Sequence, residues 1–328
     1  MSRCVVMFET KTFHIGCQSW QYEDWITEAG GETIFYPRGT RPADMLGIYS
    51  EAFDTIEVDS TAYGTPAIST LEGWSDATPD GFLFSLKVPS AITHELSLGP
   101  ASYALMDEFV EVSRALGSKL GVILIQFPAS FESTKENGAN LRSFIARLPG
   151  DLKFAVEFRH PGWFIEWTFD ELNERGIALA LVAGKWVDED AMFSAFEKTK
   201  TPFGYVRLMG VRDLPRFDRI YRDRSDEIKR WAGKVKALEA KEVFAYVDNY
   251  FEGHGPATAN RLKAAVGVPS VDPQELEKQA SLFRVRDSSR SFPSRLIASC
   301  ARLKCRQSLL CVSDAMNRGF NYAMNRAL

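Results

Sequence analysis

The sequence predicts an α/β fold, a single (β/α)8 barrel of eight parallel strands with a helical return after each. Three observations predict it. Strand-like and helix-like stretches alternate along most of the 328 residues, the rhythm of a parallel sheet. Most strand candidates are nearly continuous apolar runs, the pattern of strands covered on both faces. The turn after the first strand reads GCQSWQY (16–22). It lacks the G-x-G-x-x-G loop that an open nucleotide-binding sheet would want there.

In chain order, the first strand is expected at FHIGC (13–17) and the second at FDTIEVD (53–59). Ile68, Leu71 and Trp74 mark a short helix over 67–77, closed by Pro79 and Gly81. FLFSLKV (82–88) is the third strand. Leu105, Phe109, Val112 and Leu116, joined by Met106 and Val110, recur at helical spacing over 103–116. LGVILIQF (120–127), KFAVEF (153–158) and IALALVA (177–183) follow. The sixth return rests on 184–200, which is only weakly amphipathic. FGYVRLM (203–209) precedes a helix over 225–239, carried by Ile228, Trp231, Val235 and Leu238. EVFAYVD (242–248) is the last strand. The helix over 256–266 opens on Pro256, a residue suited to a first helical position.

Three segments result: an N-terminal extension (1–12), the barrel domain (13–280) and a basic tail (281–328). The tail loses the rhythm and is expected to be poorly ordered, with a loosely docked helix around 294–312 as the alternative. Hydrophobic content of 45% and charged content of 25% are ordinary for a soluble globular chain. A barrel takes about 250 residues, so one domain with extensions fits.

The net charge of −4 hides an asymmetry. The tail holds eight Arg and one Lys against Asp287 and Asp314, a net +7, which leaves the first 280 residues at −11. An acidic body argues against a dedicated nucleic-acid binder. The five cysteines, Cys4, Cys17, Cys300, Cys305 and Cys311, show no C-x-x-C pairing and read as free thiols of a reducing compartment. The apolar stretch Val5 to Phe8 is shorter than the roughly 7 residues a secretory signal needs. No run approaches the ~18 that span a membrane. The expectation is a cytoplasmic protein without membrane contact. Its oligomeric state is open.

Residues two apart on a strand share a face. Glu57 and Asp59, Glu157 and Arg159, Tyr205 and Arg207, and Tyr246 and Asp248 are such pairs. Lys87 closes the third strand and Gln126 the fourth. All lie near the C-terminal ends of their strands, where barrel enzymes keep their sites. Burying ions costs several kcal/mol unless they are paired, so these groups are expected to converge at the mouth. They would form either a ligand site or a closed ion-pair network.

His94, His160 and His254 follow strands and could reach the mouth, but no H-x-H or H-E-x-x-H spacing is present. Loop capping is the favoured role, and no metal site or cofactor is assigned. Residues 207–230 are rich in Arg, including Arg212 and Arg216, yet hold five acidic residues. Anion capture and a self-neutralised loop both fit. Trp20, Tyr22, Trp25, Tyr63, Trp163 and Phe164 could stack on a ring or seal loop cores.

GCQSWQYEDW, FYP (35–37), FDTIEVDSTAY, FLFSLKVP, ITH (92–94), ILIQFP, AVEFRHPGW, GYVRLMG and VDNYFEGHGPATANRL together resemble the YecE-like proteins, the family called domain of unknown function 72. The resemblance runs over about residues 13–266 and implies a TIM-type barrel. Gln18-Ser19-Trp20-Gln21-Tyr22 stands where the family reads G-W-S-Y. Asp59 stands for Asn in N-S-T-F-Y, Met209 for His in R-L-H-G, and Asp248 for Asn in Asn-Asn. The resemblance implies no reaction.

The leading functional expectation is an enzyme, a hydrolase or isomerase, acting on a small polar or anionic metabolite such as a sugar or phosphate ester. Glu157 or Asp59 is the expected general acid or base. Lys87, Arg159 and Arg207 would hold negative groups. Gln126, Tyr63, Glu57, Trp20, His94, His160, Asp248 and Asn249 complete the expected ligand shell. Two alternatives stand beside it. One is a metal-assisted phosphodiester hydrolase, with nucleic acid among its conceivable substrates, using Glu157, Asp59, His94 and His160. The other is a non-catalytic ligand-binding barrel.

Overall fold

The structure, a computed structural model, describes residues 11–28 and 34–271. Eight parallel strands run through them: β1 (Thr12–Cys17), β2 (Thr55–Val58), β3 (Leu83–Lys87), β4 (Leu120–Gln126), β5 (Lys153–Glu157), β6 (Ala178–Ala183), β7 (Phe203–Leu208) and β8 (Glu242–Val247). Their order is β1-β8-β7-β6-β5-β4-β3-β2. Each strand therefore lies beside its neighbours in sequence, and β1 meets β8. The sheet curls into the nearly closed barrel that the alternation predicts. Each expected strand is found within two residues at either end.

The returns are α1 (Pro42–Ala52), α2 (Ile68–Asp76), α3 (Tyr103–Ser113), α4 (Lys135–Ile145), α5 (Glu166–Glu174), α6 (Glu189–Lys198) and α7 (Ser225–Ala237). After β8 come the single-turn α8 (Asn249–Glu252) and then α9 (Gly255–Val266). The weakly amphipathic sixth return is a true helix. Asp188 caps α6 by accepting from the Ala191 N–H at 2.8 Å, and Met192, Ala195 and Phe196 are buried. The helix expected over 103–116 ends at Ser113, and a tighter turn continues to Lys119. Gly117, at φ 54, redirects the chain into β4. The expected extension before Lys11, the tail at 281–328 and four of the five cysteines lie outside the described residues. Cys17 is a buried thiol. Among the described residues no helix is long and apolar enough to cross a membrane.

The ladder is weakest between β1 and β2, which share the isolated bridge Gln18–Glu57. Tyr49 of α1 joins the two strands below it. Its hydroxyl accepts from the Cys17 N–H at 2.7 Å and donates to the Thr55 carbonyl at 3.0 Å. Gly16 permits the approach, since a Cβ there would lie 2.1 Å from the Thr55 oxygen.

Side chains facing the axis stack in layers. At the base, His14 stacks on Phe244 with centroids 5.0 Å apart. It bonds Asp54 at 2.6 Å and Glu242 at 3.2 Å, and Lys153 also pairs with Glu242. In the middle, the Tyr246 hydroxyl bonds Thr55 Oγ1 and Ser85 Oγ, each at 2.7 Å. The charged groups lie above this layer.

Candidate functional site

Strand register sets the depth of each polar group. Arg207 of β7 lies opposite Val182 of β6 and Tyr246 of β8. Gln126 of β4 lies opposite Glu157 of β5, and Gln18 bridges to Glu57 of β2. These residues face the axis just above the tyrosine layer.

Arg207 is the hub of a sealed floor. Its Nε and Nη2 donate to the Glu57 carboxylate at 2.9 and 2.7 Å, and Nη1 donates to Glu157 Oε2. Tyr205 donates to Glu57 at 2.6 Å. Arg207, Glu57 and Glu157 are each at most 1% exposed. Burial works to raise the Glu157 carboxyl, but the charges of Arg207, Arg159 and Lys87 overcome it and hold Glu157 below the usual range. Arg159 Nε bonds its second oxygen at 2.9 Å. Glu157 was an expected acid or base. Here it is a fixed anion with both oxygens engaged, which suits it to holding cations and not to moving protons. Glu57 and Arg207, expected to touch ligand, likewise face each other.

One pleat further out the groups are wetter. Lys87 donates to Asp59 Oδ1 at 3.1 Å, with side chains 14% and 31% exposed. Thr61 pins this corner: its hydroxyl donates to the Lys87 carbonyl at 2.8 Å and accepts from the Lys87 N–H at 2.9 Å. Arg159 is 22% exposed and spends only Nε within the described residues. Its guanidinium carbon also lies 5.2 Å from the Trp186 ring centroid. Gln126 is 3% exposed, and its Oε1 meets no partner among the described residues. That leaves a buried acceptor without a partner, on the residue paired with Glu157.

Two aspartates share the rim and are pushed apart. At Asp59, burial is overcome by Lys87, Arg207 and Arg212, and the carboxyl sits below its usual range. At Asp248, burial dominates and pushes the carboxyl up to about 6, with the charge of Asp59 adding to it. The rise comes despite hydrogen bonds from the Tyr250 and Gly210 N–H groups and the pull of Arg207. Asp248 is held in place as the cap of α8. Its neighbour Asn249 is buried, accepting from Trp25 Nε1 at 3.1 Å and the Gly255 N–H at 2.8 Å.

The Arg-rich loop after β7 is largely neutralised, in part by carboxylates of the segment after β1. Arg216 pairs with Asp24 and Glu28, Arg222 with Asp213, and Arg224 with Glu227. Arg212 differs: it is exposed, has no hydrogen bond or ion pair among the described residues, and lies close enough to lower Asp59. Sequence reasoning did not single it out from the other arginines. Gln18 was also passed over, because it lies beyond the apolar run of β1.

His160 and His254 cap loops, as expected, and His94 does not. His160 Nδ1 accepts from the Gly162 N–H at 3.2 Å, and His254 Nδ1 accepts from the Ala257 N–H at 3.3 Å. His94 is exposed and bonds Thr93 at 2.8 Å. Burial together with Lys87 and Arg159 lowers its pKa. Among the described residues no three His, Cys, Asp or Glu side chains converge as a metal would require. Trp20, expected as a stacking surface, is 5% exposed and packs edge-on against Trp74, so it walls the core. Tyr63 is 78% exposed on the turn after β2.

A family model described as "Protein of unknown function DUF72" matches residues 14–281. The UPF0759 protein YunF of Bacillus subtilis (strain 168) is 27% identical over 246 residues, covering 68% of this chain and 87% of that one. The UPF0759 protein YecE of Escherichia coli (strain K12) is 28% identical over 169 residues, covering 50% of this chain and 54% of that one. A DUF72 family structure from Thermotoga maritima MSB8 superposes with TM-score 0.64 at 24% identity, covering 78% of this chain and 99% of that one. One from Enterococcus faecalis V583 gives 0.60 at 21%, covering 80% and 100%. At such identities the superpositions speak for the fold alone.

Proposed function

The chain belongs to the DUF72 family, and we propose that its barrel mouth binds a small anionic metabolite, with a phosphate ester as model ligand, and moves a proton on it. The observation that carries this reading is the set of unspent donors around the rim. Among the described residues Lys87 uses one donor, Arg159 uses one and Arg212 uses none. Lys offers three N–H donors and Arg five. Phosphate and carboxylate oxygens are their strongest partners.

Asp59 and Asp248 supply the two halves of acid–base chemistry. Environments that drive a pair of carboxyls apart assign their roles. Asp59 stays ionised and acts as the base. Asp248, near 6, retains its proton in a share of molecules around neutrality and acts as the acid. The reaction class is that of a hydrolase or isomerase.

Calorimetric titration with inorganic phosphate and glycerol phosphate tests the reading. Binding is expected, weakened at least about tenfold by Lys87→Ala or Arg159→Ala, because a hydrogen bond to a charged group contributes about 1.5–3 kcal/mol. No binding, or binding indifferent to both substitutions, overturns the proposal.

A further inference from the structure

We infer that the ligand of this mouth carries a planar ring beside its anionic group, and that the ring stacks on Trp186. The inference rests on the anion reading above and narrows it to a class of molecule.

The mouth has one sector unlike the rest. β6 reads ALALVA and brings no polar side chain. Its inward residue at that depth is Val182, paired with Arg207. Next comes Gly184, whose absent Cβ would lie 3.6 Å from that of Met209. An apolar arc therefore interrupts the polar ring, and Trp186 stands at its edge. Trp186 is 39% exposed, while the other tryptophans are buried or half-buried. The exposed indole beside a polar cleft offers a face on which a planar ring can stack.

The link to the anion is Arg159. Its guanidinium lies against Trp186 while most of its N–H donors remain free. An anion taken by Arg159 thus places whatever it carries beside the indole, with no rearrangement of the backbone. The cleft under Trp186 is small, about 10 Å³, room for about one water. A ring would lie across the indole and not enter beneath it. Lys185 Nζ sits 4.4 Å from the same centroid. As an exposed lysine it is easily displaced and can turn to the anion.

The test compares phenyl phosphate, glycerol phosphate and inorganic phosphate on the full chain. Phenyl phosphate should bind about three- to tenfold tighter than glycerol phosphate, the gain expected of one aromatic pair. Trp186→Ala should remove that advantage, so that phenyl phosphate and glycerol phosphate bind alike. Trp186→Phe, which keeps a ring for Arg159, should retain part of it. Phenyl phosphate should also quench indole fluorescence in the parent protein and much less in Trp186→Phe. Equal affinity for the two esters, or an advantage that survives Trp186→Ala, overturns the inference and leaves the anion site standing. If none of the three ligands binds, both readings fall.

Discussion

The floor and the rim of this barrel are built from the same residue types, two residues apart on the same strands, and they have opposite properties. Glu57 and Glu157 are sealed, and Arg207 occupies both. Asp59 and Arg159, one pleat further out and just past the ends of β2 and β5, are partly wet and only partly engaged. Burial explains the difference. A charge without water must be satisfied by the chain itself, so deep ions become scaffold. A charge at the water's edge can leave donors unspent and exchange solvent for a ligand. Depth within one layer separates a structural ion pair from a binding group.

Arg207→Leu should do the most damage. It strands two buried carboxylates, and breaking such pairs costs about 3–5 kcal/mol. Urea unfolding measures this, and a loss below about 1 kcal/mol would mean that the floor is not the sealed unit described. Asp248→Asn should act in the opposite direction. A carboxyl raised from 3.8 to about 6 favours folding fully below its unfolded pKa, and that contribution is lost as the pH rises through about 6. At about 1.4 kcal/mol per pKa unit, the asparagine variant should gain up to about 3 kcal/mol at about pH 8. The gain should vanish below about pH 4. Melting curves across this range would show a flat difference if Asp248 is not strained by its site.

The base of the barrel sharpens the contrast, because its charges are reachable by water yet already matched. Burial lowers the His14 pKa, but Asp54 and Glu242 overcome it and raise it to about 9. Its contribution to stability is therefore complete below about pH 6.5 and lost as the pH rises through about 9. Because Asp54 is half-exposed, screening should hold the effect to about 1–2 kcal/mol. Comparing the parent with His14→Gln between pH 6 and 10 reads it directly. The smallest stability effect belongs to the rim. Lys87→Ala should cost under about 1 kcal/mol, even as phosphate affinity drops. Arg159→Ala should cost more, about 1–3 kcal/mol, because it also takes the partner from a buried Glu157 oxygen. A loss at Lys87 as large as that at Arg207 would erase the distinction between layers.

The barrel itself was legible because apolar strand runs and helical returns repeat eight times, and each strand needs only local pattern to be seen. The direction of the polar groups was legible too, since alternation assigns a face. Depth was not. Glu157 and Arg159 look equivalent in AVEFR, and only register against Gln126 and Arg207 shows that one is floor and the other rim. Arg212 was hidden among arginines whose partners, such as Asp24 for Arg216, lie far away in sequence. Trp186 sat in the least regular unit. For Trp20 the sequence left stacking and core sealing both open, because its cover, Trp74, comes from a helix over fifty residues later.

The stitch at Tyr49 has a mechanical consequence. The other seven strand junctions are held by paired ladders, down to two positions between β5 and β6, while the β1–β2 junction relies on one bridge and a shared phenol oxygen. Strain imposed on the rim will concentrate there, so the opening can widen along a single slit while the remaining staves hold their spacing. Deuterium should therefore reach the Cys17 amide before it reaches the amides of β4 and β5.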